Sequence, residues 1–165
     1  MYSDLTLRHA TSEDTDNIAE LERLCFPPAE AATRDRFEER IKVYGDHFLL
    51  AEDKDKNIVG LINGPVTNDA DLEDEMYESA ACHVPDGPWQ MIFGVETHPD
   101  HQSKGIASFI MKEYIKQAQE DGRKGVVLTC KKELIGFYER FGYVCEGVSK
   151  SVHGDAVWYQ MRLSF

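Results

Sequence analysis

Basic residues are scarce in this chain of 165 residues: 18 lysines and arginines stand against 30 aspartates and glutamates, for a net charge of −12. Nucleic acid is bound through an excess of Lys and Arg on phosphate, so a field of the opposite sign argues against a nucleic-acid partner. It suits a cationic substrate better, and over most of the surface it confers solubility. Long apolar runs are also missing, and no stretch approaches the ~18 apolar residues of a membrane span. The opening residues Met1-Tyr2-Ser3-Asp4-Leu5-Thr6 lack the basic start and apolar run of a signal peptide. The expectation is a cytoplasmic protein with no membrane partner. Cysteine is sparse, and Cys25, Cys82, Cys130 and Cys145 show no C-x-x-C or other ligand spacing, which points to reduced core or near-core thiols. The histidines His9, His47, His98, His101 and His153 have no metal spacing either, so no metal is implied. Repeats, low-complexity tracts and long linkers are absent. With 42% hydrophobic residues, the chain is read as a single domain, 1–165.

What is present is concentrated in one stretch. Trp89 to Thr97 reads as an apolar strand that Pro99 closes. His101-Gln102-Ser103-Lys104-Gly105-Ile106-Ala107 then turns directly into a helix. Ile106, Phe109, Ile110, Tyr114 and Ala118 recur at spacings of three and four along that helix, one buried stripe, and Asp121-Gly122 ends it. The first amides of a helix have no intrahelical partner and carry partial positive charge, so this turn is shaped to cradle a diphosphate. Gly105 admits close approach of the backbone, and Ala107 keeps the next turn thin. Lys104 supplies a local cation against an unfavourable overall charge, with Lys131, Lys132 and Arg123 as further sources. His98 and His101 flank the cradle. Taken alone, the stretch is equally a plain strand-turn-helix connection.

A second motif changes that balance. Cys130-Lys131-Lys132-Glu133-Leu134-Ile135-Gly136-Phe137-Tyr138-Glu139-Arg140-Phe141-Gly142-Tyr143 reads as a strand end, a short helix and a glycine stop. Together, Q-x-x-G-x-A and F-Y-x-x-F-G-[FY] resemble the acetyl-coenzyme A dependent GNAT N-acetyltransferases, and within them the serotonin (arylalkylamine) N-acetyltransferase branch. The resemblance extends to Cys25-Phe26-Pro27-Pro28-Ala29-Glu30-Ala31-Ala32 and to His83-Val84-Pro85-Asp86-Gly87, and so covers nearly the whole chain. It implies an α/β fold with a mixed central sheet of roughly six to seven strands, splayed at the centre to admit the cofactor and flanked by about four helices.

The implied activity is transfer of an acetyl group from acetyl-CoA to a primary amine, an arylalkylamine if the branch resemblance holds, by direct attack in a ternary complex. An alkylammonium of pKa near ~10 must lose a proton first, the oxyanion that forms needs a fixed donor, and the departing thiolate needs a proton. By resemblance, Tyr138 is the general acid and the Val95 N–H is the oxyanion donor. Val95 and Thr97 would pair the pantetheine arm through their backbone, and Gln102, Ser103, Lys104, Gly105, Ile106 and Ala107 would hold the diphosphate. Phe26, Pro27 and Pro28, with Met91 and Phe93, would wall an apolar acceptor site; a Met and a Phe on a central strand are equally core residues.

The chain departs from the branch where the ammonium must be deprotonated. Met91 and Phe93 stand where the branch carries histidines, and neither accepts a proton. Glu96 lies on the opposite face of the strand and is assigned to structure. His83, Glu30 and the acids of the loop from Asn68 to Glu78 remain as bases; that loop is more simply a solvated acidic segment, or the approach for a polyamine or peptide. The alternatives are a peptide or protein amino-terminal acetyltransferase, a polyamine acetyltransferase, or a non-catalytic acyl-CoA-binding module. The protein is expected as a monomer or homodimer.

The remaining elements follow from periodicity and caps. Leu5 to His9 is a first strand. Thr11-Ser12 caps a helix with Ile18, Leu21, Leu24 and Cys25 inward, and Thr33 caps a second with Phe37 and Ile41 inward. His47 to Glu52 and Asn57 to Val66 form a hairpin. Gly125 to Cys130 is a buried strand and Leu134 to Phe141 a helix, and Tyr143 to Ser149 pairs with Val157 to Leu163.

Overall fold

A computed structural model describes residues 4–165; positions 1–3, the first half of the stretch read for a leader, lie outside the described residues. The elements in order are β1 (Thr6–His9), α1 (Thr15–Cys25), α2 (Arg34–Tyr44), β2 (Phe48–Glu52), β3 (Ile58–Asn63), β4 (Val66–Thr67), α3 (Glu75–Glu78), β5 (Trp89–Ile92), β6 (Gly94–Thr97), α4 (Ile106–Glu120), β7 (Gly125–Cys130), α5 (Ile135–Glu139), β8 (Val144–Val148) and β9 (Tyr159–Ser164). They form a four-stranded sheet ordered β1-β2-β3-β6 and a five-stranded sheet ordered β4-β5-β7-β9-β8. The first is antiparallel throughout. The second is mixed, with β5 and β7 parallel. No helix among the described residues is long and apolar enough to cross a membrane.

The α/β class and mixed pairing are as expected, and the described residues form nine strands in two sheets where six to seven were expected. Two of the expected strands are each divided. Asn57 to Val66 breaks because Pro65 has no N–H to give a ladder, so β3 and β4 enter different sheets. Trp89 to Thr97 breaks at Phe93, where β5 leaves its parallel pairing with β7 and β6 takes up antiparallel pairing with β3.

The chain groups into two compact units: residues up to Gly64 with Gly94–Tyr114, and Pro65–Phe93 with Ile115–Phe165. In the first unit, Arg8 of β1 forks onto Asp14 at 2.7 and 2.8 Å and reaches Glu52 at 3.0 Å. Asp14 also accepts the Thr11 N–H at 2.7 Å, a capping arrangement that starts α1. The guanidinium of Arg8 holds the Asp14 carboxyl below the usual range. Along α1 the buried residues are Thr15, Ile18, Leu21 and Glu22, while Leu24 is 47% exposed. The helix is therefore rotated from the expected stripe, and an acid takes the inward place given to Leu24. Thr33 caps α2 by accepting the Arg36 N–H at 3.3 Å, and Phe37, Arg40, Ile41 and Tyr44 are buried. Strands β2 and β3 are buried almost throughout. The opening half of α4 buries Ile106, Ile110, Met111 and Tyr114. The Tyr114 hydroxyl donates to the His47 carbonyl at 2.7 Å.

In the second unit β7 is the central strand, between β5 and β9. Met91, Val127, Leu72 and Met76 form a core cluster, with Tyr77, Cys82, Trp89 and Phe93 packed against it. Arg162 lies over the Trp89 ring at 4.8 Å and pairs with Asp71 at 2.6 Å and Glu146 at 2.9 Å. Asp74 accepts from the Ser151 hydroxyl at 2.5 Å and the Val152 N–H at 3.0 Å. Two acids of the 68–78 segment thus have structural partners. All four cysteines are free, and burial pushes the Cys25 and Cys130 thiols up to about 12.

Candidate active site

Strand β6 is the edge of its sheet. The His98 N–H donates to the Val59 carbonyl at 2.8 Å, and backbone groups alternate between the two sides of a strand. Gly94 and Glu96 therefore address β3, and Val95 and Thr97 turn their N–H and C=O groups toward the open edge. The Thr97 carbonyl takes the Cys25 thiol at 3.3 Å. The Val95 and Thr97 amides are set to receive an extended partner lying along the edge, as an added strand would.

The edge strand runs into the cradle through a 3-10 turn, Pro99–His101, capped by His98, whose Nδ1 accepts the Asp100 N–H at 3.1 Å. Gln102, Ser103 and Lys104 are exposed and Gly105 is half-buried. Ser103 (φ 64°) and Gly105 (φ 78°) both lie in the left-handed region, so they bracket Lys104 and bend the backbone into an amide-lined concavity. The first bond of α4 runs from the Phe109 N–H to the Gly105 carbonyl at 3.0 Å. The amides of Ile106, Ala107 and Ser108 accordingly have no partner within the helix. Cradle, edge amides and the Lys104 charge are together what an extended ligand ending in a diphosphate requires. All belong to the first unit, as do Phe26, Pro27 and Pro28.

Phe26 is half-buried and its Cε2 lies 3.8 Å from where a Cβ on Gly94 would stand, which puts its ring on the α1 side of β6. Pro27 and Pro28 are exposed. The turn beyond them is tight: the Pro27 carbonyl accepts from Glu30 and Ala31, and the Glu22 side chain accepts the Ala32 N–H at 2.8 Å.

In the second unit Tyr138 sits on α5 and is 6% exposed. Its ring meets Phe137 edge-on at 5.1 Å and Tyr143 at 5.8 Å, and Phe137 in turn meets Phe141 and carries the Arg140 guanidinium at 5.1 Å. Burial, with a smaller contribution from Cys130, pushes the Tyr138 phenol up from its ordinary value. It is neutral, and holds a proton, at any physiological pH. Met91 is fully buried in the core cluster, whereas Phe93 is partly exposed and its ring meets Tyr77 at a tilt, centroids 4.5 Å apart. Of the two strand residues read as acceptor wall, only Phe93 presents surface; Met91 backs it.

His83 is not poised as a base. Its Nδ1 accepts the Val66 N–H at 3.0 Å, so the neutral ring carries its proton on Nε2 and has no free lone pair. Sequence reasoning missed a different acid pair, Glu22 and Glu96, both buried in the first unit. The signal for Glu22 was available: spacings of three and four from Ile18 reach Leu21, Glu22 and Cys25 rather than Leu24.

Residues 15–143 match the family model described as Acetyltransferase (GNAT) family. Among solved structures the chain is similar to the loading GNATL domain of CurA from Lyngbya majuscula, with 19% identity over 97% of each chain and a TM-score of 0.83. It is similar to the GphF GNAT-like decarboxylase in complex with isobutyryl-CoA, with 18% identity over 96% of this chain and 98% of that one and a TM-score of 0.83. A third likeness is to a GNAT family acetyltransferase from Brucella melitensis in complex with acetyl-CoA, with 20% identity over 98% of this chain and 88% of that one and a TM-score of 0.63. At these identities the structural likeness establishes a shared fold.

Proposed function

Because the chain belongs to the acetyltransferase (GNAT) family, we propose that it transfers the acetyl group of acetyl-CoA to a primary amine by direct attack in a ternary complex. The observation that carries this reading is the pairing of edge amides at Val95 and Thr97 with the left-handed turn at Gly105, which opens α4. The cofactor brings an acyl group already activated as a thioester. In our reading the residues Gln102 to Ala107 hold its diphosphate, and the edges of Val95 and Thr97 hold its pantetheine arm. The Val95 N–H donates to the oxyanion, and Tyr138 returns a proton to the thiolate. The family match spans both compact units, which supports treating 1–165 as one working domain.

Phe26, Pro27, Pro28 and Phe93 favour an apolar or arylalkyl amine, consistent with the serotonin N-acetyltransferase branch. No proton acceptor stands at Met91 or Phe93, and the His83 Nδ1 lone pair takes the Val66 N–H, so the acceptor arrives neutral or loses its proton to water, to Glu30 or to an acid of the 68–78 segment. Purified protein is expected to bind coenzyme A by calorimetry and to release thiol only when a suitable amine is added from a panel of arylalkylamines, polyamines and peptides. Binding without amine-dependent release at any pH would reduce the reading to a binding module.

The missing base also favours a second reading, an acyl-CoA reaction with no amine to deprotonate. The GNAT-like decarboxylase among the similar structures is of that kind by its description. Incubation with a carboxylated acyl-CoA, followed by mass spectrometry for loss of carbon dioxide, separates the two.

Gly105 is the sharpest probe of the cradle. An alanine there must hold φ near 78°, which costs a residue with a Cβ about 1–2 kcal/mol. Gly105→Ala should lower stability by that amount in urea titration and weaken coenzyme A at least about fivefold, since the strain falls on the turn whose amides this reading gives to the diphosphate.

A further inference from the structure

Glu96 is 1% exposed, and no N–H or O–H among the described residues donates to either of its carboxyl oxygens. A buried carboxylate without donors is not sustainable, and such a group is found neutral. The charged and titratable groups facing it are Glu22 and Cys25 from α1 and Arg40 from α2; β3 contributes only Asn63, whose amide nitrogen stands near the same Gly94 position as a Glu96 oxygen. The carboxyl that Glu96 faces is that of Glu22. Two carboxyls side by side in a buried site cannot both be ionised, so one of them holds a proton. Burial and the Glu22 charge raise Glu96 well above the carboxylate range, with Arg40 pulling the other way, so the proton resides on Glu96 and Glu22 is the carboxylate that accepts it. One anion and one cation, Glu22 and Arg40, then balance in a closed site.

Glu22 is also the residue that closes the turn after α1 at both ends. Its backbone carbonyl accepts the Phe26 N–H at 2.9 Å, and its Oε2 accepts the Ala32 N–H at 2.8 Å. Whatever fixes the Glu22 side chain fixes that turn, and Glu96 fixes it from β6. We propose that Glu22 and Glu96 share one proton, and that this shared proton holds the turn from Phe26 to Ala32 against the edge strand. Loss of the proton places two like charges in contact with no water to screen them, and the Glu22 side chain releases Ala32. Glu22 and Glu96 are positioning residues and touch no reacting atom. The consequence for catalysis, a looser acceptor wall at alkaline pH, rests on the acetyltransfer reading above.

The test needs no activity. Hydrogen exchange at the Ala32 amide, corrected for intrinsic rate, is followed from pH 6 to pH 9 in the wild type and in Glu96→Gln, whose amide still donates to Glu22 but cannot ionise. Wild-type protection should fall roughly tenfold or more across the range, and the variant's should change by less than about twofold. Infrared spectra of the wild type should keep the carbonyl band of a protonated carboxyl at pH 7, and this arm stands even if the variant misfolds. Flat wild-type protection, an equal fall in Glu96→Gln, or no such band overturns the proposal. If an amine substrate is found, the ratio of wild-type to variant acceptor KM should rise with pH while coenzyme A affinity stays equal; a constant ratio overturns the catalytic consequence alone.

Discussion

Phenylalanine in place of Tyr138 will lower turnover by about tenfold or more at neutral pH, the low end of what a positioned proton donor contributes, and leave coenzyme A affinity within about twofold. The substitution removes one hydroxyl and keeps the ring. The edge-on contacts with Phe137 and Tyr143 are between ring faces and edges, which phenylalanine reproduces, so the melting temperature should hardly move. A loss of tenfold is about 1.4 kcal/mol of barrier, and it should appear in kcat rather than in the acceptor KM, because the departing thiolate exists only after attack. On the proposed role of Tyr138 the phenol also sets the pH profile. The donor form is the protonated one, and burial raises its pKa, so the donor persists to higher pH than an exposed tyrosine would. No loss of rate assignable to Tyr138 should appear below pH ~10, and any alkaline rise tracks the amine losing its own proton. Turnover unchanged in the variant removes Tyr138 from the mechanism.

The largest effect on stability is expected at Gly125, the first residue of β7. A Cβ there would stand 2.2 Å from the Leu163 carbonyl oxygen and 2.9 Å from the Trp89 ring. Neither neighbour can yield. Leu163 belongs to β9, whose ladder with β7 runs from Gly125 opposite Ser164 to Cys130 opposite Tyr159, and Trp89 is held in the parallel pairing on the other side and beneath Arg162. Moving either element breaks hydrogen bonds of the inner strand. Gly125→Ala should therefore cost about 3 kcal/mol or more, a fall of roughly 6–12 °C in melting temperature for a chain of this size. Gly136 supplies the control. A Cβ on Gly136 meets nothing within 4 Å and the residue lies in α5, so Gly136→Ala should stabilise by about 0.5–1 kcal/mol. A shift below about 2 °C for Gly125→Ala would sink the packing argument.

The cradle and the α5 motif were legible because their signals are local. A turn, a glycine and a helix stripe lie within one run of residues, as do the Phe-Tyr pair and its glycine stop. The breaks in the two long strands were half legible. Pro65 announces the first by chemistry, but nothing at Phe93 does, since apolar character continues through it and the break is imposed by pairing partners far along the chain, β7 on one side and β3 on the other. The spacing from Ile18 admits Glu22 on the inner face, but the sequence reading put Leu24 there, because a charged residue on a buried stripe reads as an error until its partner is known. That partner, Glu96, comes from a different element, and no pattern within either segment announces the meeting.

A strand left at the margin of its sheet is a template for any extended chain, not only for the intended arm. Among the described residues no strand takes the outer side of β6, so a cofactor held there, as proposed above, would also act as a stopper against unwanted self-association. Stocks kept with coenzyme A should resist clouding on concentration better than stocks dialysed free of it, and light scattering with and without the ligand would record the difference.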